Sequence, residues 1–538
     1  MFSLHYSAGV IPGAWHLSGH CLSSRQGRIE ALDHPKLLLR AVQTPSGRLG
    51  VALVERPHPH PAAATKDDHQ LSAVDEEGFA RAKARVLDWP LHGFWVEIVG
   101  RTLRIESSRL PTVPVFLARH GDEARVEWDP ARLYPLLAAS LDRDAAAHYL
   151  CSFEQPYGSR TLIDGLTQLT ASSVALWRDG AWRLEHKAPA PADYPRLLEA
   201  NADPLDSFAG LLTQGLARSL PDPSLRLAAA LSGGLDSSAV VSVAARRGHP
   251  MSTFGLLMPG HEGVAQAERR AQVWDRLELH DELVEGDACD WSAHLEGPRA
   301  HLMVPWEELH YAAFDGLYQR AAAQGHSVFL TGFGGDDLLD PYWEEIPEPQ
   351  RLAEMRVLQG HRPLPGFFRG ELAARQVERS EALRRQPRGF VQPGVMEVAA
   401  GVAAQCLRHG LWPMHPFIEP EVVRYCHALP PEWRQGRRLM RGLLERFGYG
   451  ASLTHPARTE SFSPLTLRPL RQCPVFRRLL HAPRMADLGF FEPRALEKAF
   501  DDWLVGRAPQ AWALHFIAVV VLEATLASLE ASAGSARG

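Results

Sequence analysis

The sequence predicts an α/β protein in two parts: a β-rich α+β domain over residues 1–205, then a parallel-sheet domain with a helical C-terminal part over residues 206–538. Three observations carry this. Residues 1 to about 185 alternate short apolar runs with turn dipeptides, as hairpins do. From about residue 225 strand and helix patterns alternate, which argues for a parallel sheet faced by helices. Residues 396–530 read mostly helical. The length of 538 residues agrees, since roughly 150 residues per domain allows two to four domains.

In the first part, Phe94–Ile105 and Ser173–Leu184 are hairpins, the second turning at Asp179-Gly180. The Ala-Pro repeat over 188–195 continues neither strand nor helix and predicts a linker, with the domain boundary between 188 and 205. Beyond it, Leu225–Leu231 is a buried strand, Asp236–Arg247 a helix stopped by Gly248, and Thr253–Met258 a second strand. A helix over Glu262–Leu277 leads to a third strand at Asp281–Glu285, and a helix from Trp306 to about Gln324 to a fourth at Ser327–Thr331. Pro347–Pro393 is rich in Pro, Arg and Glu with broken periodicity and predicts a mobile excursion. The apolar run Trp512–Leu522 is interrupted by His515 and stopped by Glu523, short of the roughly 20 residues that span a bilayer, and reads as a buried C-terminal helix.

Composition narrows the function. With 45% hydrophobic and 22% charged residues the chain can bury a sizeable core. A net charge of -6 gives no basic field for phosphate backbones or anionic lipid, so neither nucleic acid nor a membrane is an expected partner. The six cysteines are dispersed with no C-x-x-C pair, suggesting neither zinc site nor disulfide framework; with no signal-peptide pattern at the start, the expected location is cytoplasmic. Lysine is scarce: Lys36, Lys66, Lys83, Lys187 and Lys498.

The chemistry concentrates in two loops. Leu231-Ser232-Gly233-Gly234-Leu235-Asp236-Ser237-Ser238 follows a buried strand and opens a helix. Its glycines allow a tight turn and close approach to a ligand, and the first N–H groups of the helix favour an anion. Ser232 and Ser237 add hydroxyl donors, and Asp236 adds a carboxylate for Mg²⁺, which takes oxygen ligands shared with phosphates. The string therefore predicts a nucleotide-phosphate cradle. The second, Thr331-Gly332-Phe333-Gly334-Gly335-Asp336-Asp337, again follows a strand, at the sheet edge where ligands of open α/β folds collect. Asp336 is thus the expected partner of Asp236 on the metal, although alone such a string also reads as a solvated turn. Phe254 and Gly332, at strand ends, are placed to border adenine and ribose through backbone contacts.

Together with Pro416-Phe-Ile-Glu419, Leu429-Pro430 followed by Arg437–Leu444, and the apolar C-terminal helix, these strings resemble the ATP-pyrophosphatase (PP-loop) synthetase domain of the asparagine synthetase superfamily. Gly93–Glu97 and Arg160–Ile163 resemble landmarks of its N-terminal glutaminase domain, so the resemblance covers nearly the whole chain. It implies that ATP and Mg²⁺ activate a carboxylate as its adenylate, releasing pyrophosphate, before an amine attacks to form an amide. The departures are specific. Glutaminases of this class use an N-terminal cysteine, whereas position 2 here is Phe2, which implies a degenerate domain without a nucleophile. Phe333 stands where asparagine synthetases carry glutamate and β-lactam synthetases tyrosine. The lysine that both carry in an R-x-K stretch is replaced: the nearest match is Arg458-Thr-Glu460, with Glu460 at the lysine position. Arg458 can balance pyrophosphate charge but, remaining protonated, cannot act as a base, and Glu460 reads either as a base for the amine or as a plain loop acid.

These features are similar to the lasso peptide cyclase, which joins the N-terminal amine of a linear core peptide to an Asp or Glu side chain. An α-amine has a reference pKa of about 7.7–8.0, so an appreciable fraction is neutral at pH 7 and general-base help matters less. The resemblance brings in a leader-peptide-binding protein and a leader protease as partners. Two other readings stay open: a small-molecule amide or β-lactam synthetase, and a catalytically silent peptide-binding scaffold. Glu307, Glu308, His301 and His310 read either as amine-orienting or second-metal groups or as helix-start residues. His58 and His60 read as solvated, and Arg437, Arg438 and Arg441 as pyrophosphate contacts or a basic face.

Overall fold

The computed structural model describes residues 1–56, 69–153, 157–186, 196–220, 226–286, 291–296, 302, 304–305, 310–339, 346–352, 364–369, 372, 391, 393–457 and 462–535. Two seven-stranded sheets fill residues 2–186. The first runs in the order Thr167–Leu169, Val115–His120, Glu123–Glu127, Phe2–Ser7, Gly27–Ala31, Cys21–Ser23, His16–Ser18. The second runs Ala181–His186, Ser173–Arg178, Thr102–Ser107, Gly93–Val99, Leu49–Glu55, Leu37–Gln43, His69–Ala73. Both predicted hairpins form, and Asp179 (φ 53°) and Gly180 (φ 73°) make the tight turn of the second, a geometry that matches strand twist. Alternate side chains of the two sheets bury one core, where Leu4, Ile29 and Val126 join Val51, Phe94 and Ile105.

The third sheet is parallel throughout, with β1 (Leu227–Ala230), β2 (Met251–Leu257), β3 (His280–Glu285), β4 (Val328–Leu330) and β5 (Trp412–Met414) in the order β3-β2-β1-β4-β5. Helices α1 (Leu235–Arg246), α2 (His261–Leu277) and α3 (Tyr311–Ala323) alternate with the strands as the pattern predicts. Gly248, at φ 78°, ends α1 in the left-handed conformation that glycine accepts without strain. Strand order reverses between β1 and β4, so the crevice outside their C-terminal ends is where an open α/β sheet binds its ligand.

Some expectations change. β5 lies inside the stretch read as helical; only three residues long, with Pro413 at its centre, it carries no periodic signal. The second strand, expected over Thr253–Met258, runs from Met251 to Leu257, so Phe254 lies inside it rather than at its end. Among the described residues α3 begins at Tyr311, after His310, while Trp306, Glu307, Glu308 and His301 lie outside them. The Ala-Pro stretch 188–195, His58, His60 and most of 353–390 also lie outside the described residues.

The C-terminal helix α4 (Ala513–Ser535) is long and apolar enough to cross a membrane by length and composition, but it is mostly buried, as a core helix is. Its Phe516, Val519 and Leu522 pack with Leu141, Ala146 and Leu150, and its Leu529 packs with Phe116 and Tyr134. A buried ion pair adds to this union: Arg408, ending the helix Pro393–Arg408, grips Asp129 at 2.8 and 2.7 Å.

Candidate active site

The first loop is shaped by its own side chains. Ser237 Oγ accepts from the Ser232 amide at 3.1 Å and lies 3.0 Å from Ser232 Oγ, which accepts from the Gly234 amide at 3.2 Å. Gly233 sits at φ 84°, and a Cβ there would press on the Gln266 carbonyl. Gly234 caps α1 without a side chain, leaving the helix N-terminus to an anion.

Three residues of α2 that the sequence reading passed over hold this loop from below. Gln266 donates to the carbonyls of Ser232 (2.9 Å) and Leu256 (2.8 Å) and accepts from the Met258 amide (2.9 Å). Arg269 donates to the Gly233 carbonyl at 3.1 Å. Arg270, fully buried, pairs with Asp281 at 2.6 Å. Polar side chains spaced three and four apart on a helix that must cover the sheet were the available signal.

The second loop meets the first closely. A Cβ at Gly332 would lie 2.7 Å from the Ser237 amide nitrogen, and one at Gly335 would overlap the Asp236 carboxylate, so both positions exclude a side chain. Thr331 Oγ1 lies 2.7 Å from His415 Nδ1, joining the loop to the residue before Pro416–Ile418. Burial pushes His415 down to about 4, so the ring is neutral.

Asp236 and Asp336 come together as expected, and a residue offered only as one of three arginines joins them: the Arg437 guanidinium pairs with Asp236 Oδ1 and, at 2.6 Å, with Asp336 Oδ1. Asp236 is 17% exposed and Asp336 70%. Burial raises the Asp236 carboxyl to about 7; Arg437 opposes the shift and Asp336 adds to it. Two carboxylates at the mouth of a glycine-lined cradle, already needing a cation between them, are an oxygen donor set suited to Mg²⁺ beside phosphates. Arg438 and Arg441 turn elsewhere, the first over the Trp433 ring at 4.4 Å and the second to the carbonyls of Gly436 and Thr454.

Phe254 requires a correction. It lies inside β2, three residues before the strand ends; its carbonyl accepts from the Leu231 amide at 2.7 Å and its ring is buried against Phe329. The edge position belongs to Leu257 and Met258, because the strand continues through Gly255. Leu231 is buried, tying the loop to β2 through that bond. Arg458 and Glu460 lie outside the described residues. His310 stacks on Phe462 at 5.0 Å, where burial lowers it to about 4. In the first part of the chain Phe2 is fully buried, its ring 5.7 Å from that of Phe94.

Comparison with known proteins places this geometry. No curated protein matches the chain. Among solved structures it is similar to the U34-tRNA thiolase NcsA from Methanococcus maripaludis with its 4Fe–4S cluster, at 11% identity over 42% of this chain and 78% of that one, TM-score 0.21. It is also similar to the NMN synthetase from Francisella tularensis, at 13% identity over 42% of this chain and 94% of that one, TM-score 0.19. Residues 208–529 match the family described as asparagine synthase, a span holding β1 to β5 and both loops. With more than half of its length matched, the chain belongs to the asparagine synthase family and is an ATP-dependent, ligase-type synthetase that forms amide bonds.

Proposed function

We propose that this synthetase is a macrolactam-forming cyclase of the lasso peptide type. It would adenylate an Asp or Glu side chain of a linear core peptide and join it to the peptide's N-terminal amine, releasing pyrophosphate and then AMP. The observation that supports the reading is Phe2: a buried phenyl ring stands where, by the resemblance, a glutamine-dependent enzyme would carry its thiolate, and in this reading the amine comes with the substrate.

The chain's own residues divide the work. Ser232, Ser237 and the N-terminus of α1 bind phosphate oxygens, with Gly233, Gly234 and Gly332 keeping the approach clear. Asp236 and Asp336 would hold Mg²⁺, which would supply positive charge to balance that on the phosphates. Arg437 supplies a fixed positive charge beside them, as Arg458 does in this reading. Glu460 takes the proton from the incoming amine. The carboxylate oxygen attacks the α-phosphorus as pyrophosphate leaves; nitrogen then attacks the acyl carbon as AMP leaves, so the peptide loses one water. A leader-binding protein and a leader protease are the proposed partners, delivering a free N-terminus.

Nucleotide product analysis by mass spectrometry tests this. With ATP and Mg²⁺, leader-free peptides bearing an internal Asp or Glu should give AMP and a product lighter by one water. Free acidic amino acids should leave ATP intact, and AMP from these alone would mark a small-molecule amide synthetase instead. Asp236→Ala should abolish ATP cleavage while the circular dichroism stays native.

A further inference from the structure

The Asp236–Asp336 pair is closed by a guanidinium whose backbone is set for that purpose. Gly436 (φ 58°, ψ 19°) and Arg437 (φ 59°, ψ 34°) are successive left-handed residues, breaking the chain between Pro431–Arg434 and Arg438–Arg446. Such a conformation is uncommon for a residue with a side chain. Here it sends Arg437 to the two carboxylates while Arg438 and Arg441 face other partners. Among the described residues its Nε is buried without a hydrogen-bond partner, and the two carboxylates are the groups its guanidinium pairs with. Arginine does not deprotonate in proteins, so this charge persists at every working pH.

A permanent cation bonded to Oδ1 of both carboxylates takes one oxygen of each and places a positive charge where a divalent ion shared between them would sit. Mg²⁺ sheds its water reluctantly and is commonly bound through one or two carboxylates together with substrate phosphates. Phosphate oxygens, in turn, are good acceptors for a guanidinium released from carboxylates.

We infer that Arg437 is a positioning residue that bars free divalent metal from Asp236 and Asp336 and yields the pair only when nucleotide phosphates are present, making metal binding conditional on nucleotide. The inference rests on the metal site assigned above.

Mn²⁺ is the probe, followed by electron paramagnetic resonance on the full chain, without nucleotide and with a non-hydrolysable ATP analogue. The wild type should bind Mn²⁺ about tenfold or more tightly with the analogue than without, the order of effect one nearby unit charge can produce. Arg437→Met should bind nucleotide-free Mn²⁺ about tenfold more tightly than the wild type, with Arg437→Lys between them. Adding Asp236→Asn to Arg437→Met should remove that gain, locating the metal on this pair. Equal Mn²⁺ affinity of the wild type with and without analogue overturns the inference and needs no variant. So does an Arg437→Met protein of native circular dichroism that gains nothing. Analogue-dependent Mn²⁺ binding that survives Asp236→Asn would instead overturn the metal site itself.

Discussion

Arg408 and Asp129 offer a quantitative test of how the N-terminal sheets and the synthetase part form one body. Their side chains are 10% and 4% exposed, and two hydrogen bonds of 2.8 and 2.7 Å hold them in a bidentate pair across 279 residues of sequence. Arg408→Met keeps the aliphatic length and removes the charge, leaving the Asp129 carboxylate buried without its guanidinium. Breaking a buried pair in this way costs about 3–5 kcal/mol, or roughly two to four powers of ten in the folding equilibrium. Asp129→Asn removes the opposite charge while preserving a residue able to cap Pro130–Leu136, where Asp129 Oδ1 accepts from the Ala131 amide at 3.1 Å. That segment carries Leu133 and Tyr134 into the cluster with Leu529 of α4, so the pair supports the contact between the two ends of the chain. Urea denaturation followed by tryptophan fluorescence and circular dichroism should show each single variant losing several kcal/mol. The double variant should lose less than the sum, by about 2 kcal/mol or more. Single losses below about 1 kcal/mol, or additivity within about 0.5 kcal/mol, would refute the claim that this pair bridges the two parts.

Glu523, fully buried on α4, accepts from the amides of Arg484 (2.8 Å) and Met485 (2.6 Å), yet burial raises its carboxyl from 4.5 to about 7. A raised acid binds its proton more tightly when folded, so its contribution to stability falls as pH rises from about 4.5 to 7. Glu523→Gln should therefore gain on the wild type by up to about 3 kcal/mol between pH 4.5 and 8 in denaturant titrations, and a flat difference would contradict this. Gly335→Ala places a methyl group on the Asp236 carboxylate and should weaken Mg²⁺-dependent nucleotide binding about tenfold with the fold intact by circular dichroism; unchanged calorimetric affinity would count against the site. Gln266→Ala strips partners from the carbonyls of Ser232 and Leu256 and from the Met258 amide, and should cost about 2 kcal/mol in urea while weakening nucleotide binding.

What could be read before folding was whatever is local. Leu227–Ala230 followed by Ser232–Gly234 and a helix announces a strand, a phosphate loop and a capless N-terminus in consecutive letters, and Thr331–Asp337 repeats the arrangement. Phe254 was placed at a strand end although the strand Thr253–Met258 already ran past it, and Gly255 within that strand leaves room for Arg270. Trp412–Met414 could not be seen, since three residues around a proline become a strand only when β4 supplies the partner. Arg437 was one arginine among several, and the left-handed turn at Gly436 and Arg437 that selects it over Arg438 belongs to the three-dimensional chain. Gln266, Arg269 and Arg270 look like a solvated helix face until the loop lies on them.

The most direct test of the central claim, adenylation of a peptide side-chain carboxylate at the two-loop site, is oxygen transfer. A leader-free peptide whose Asp or Glu side chain carries two ¹⁸O atoms is incubated with ATP and Mg²⁺, and AMP and peptide are weighed by mass spectrometry. One ¹⁸O should appear in AMP and one should remain in a cyclised peptide, with neither change when Asp236 is replaced by Ala. Cyclised peptide accompanied by unlabelled AMP, or label transfer undiminished in Asp236→Ala, would contradict the account.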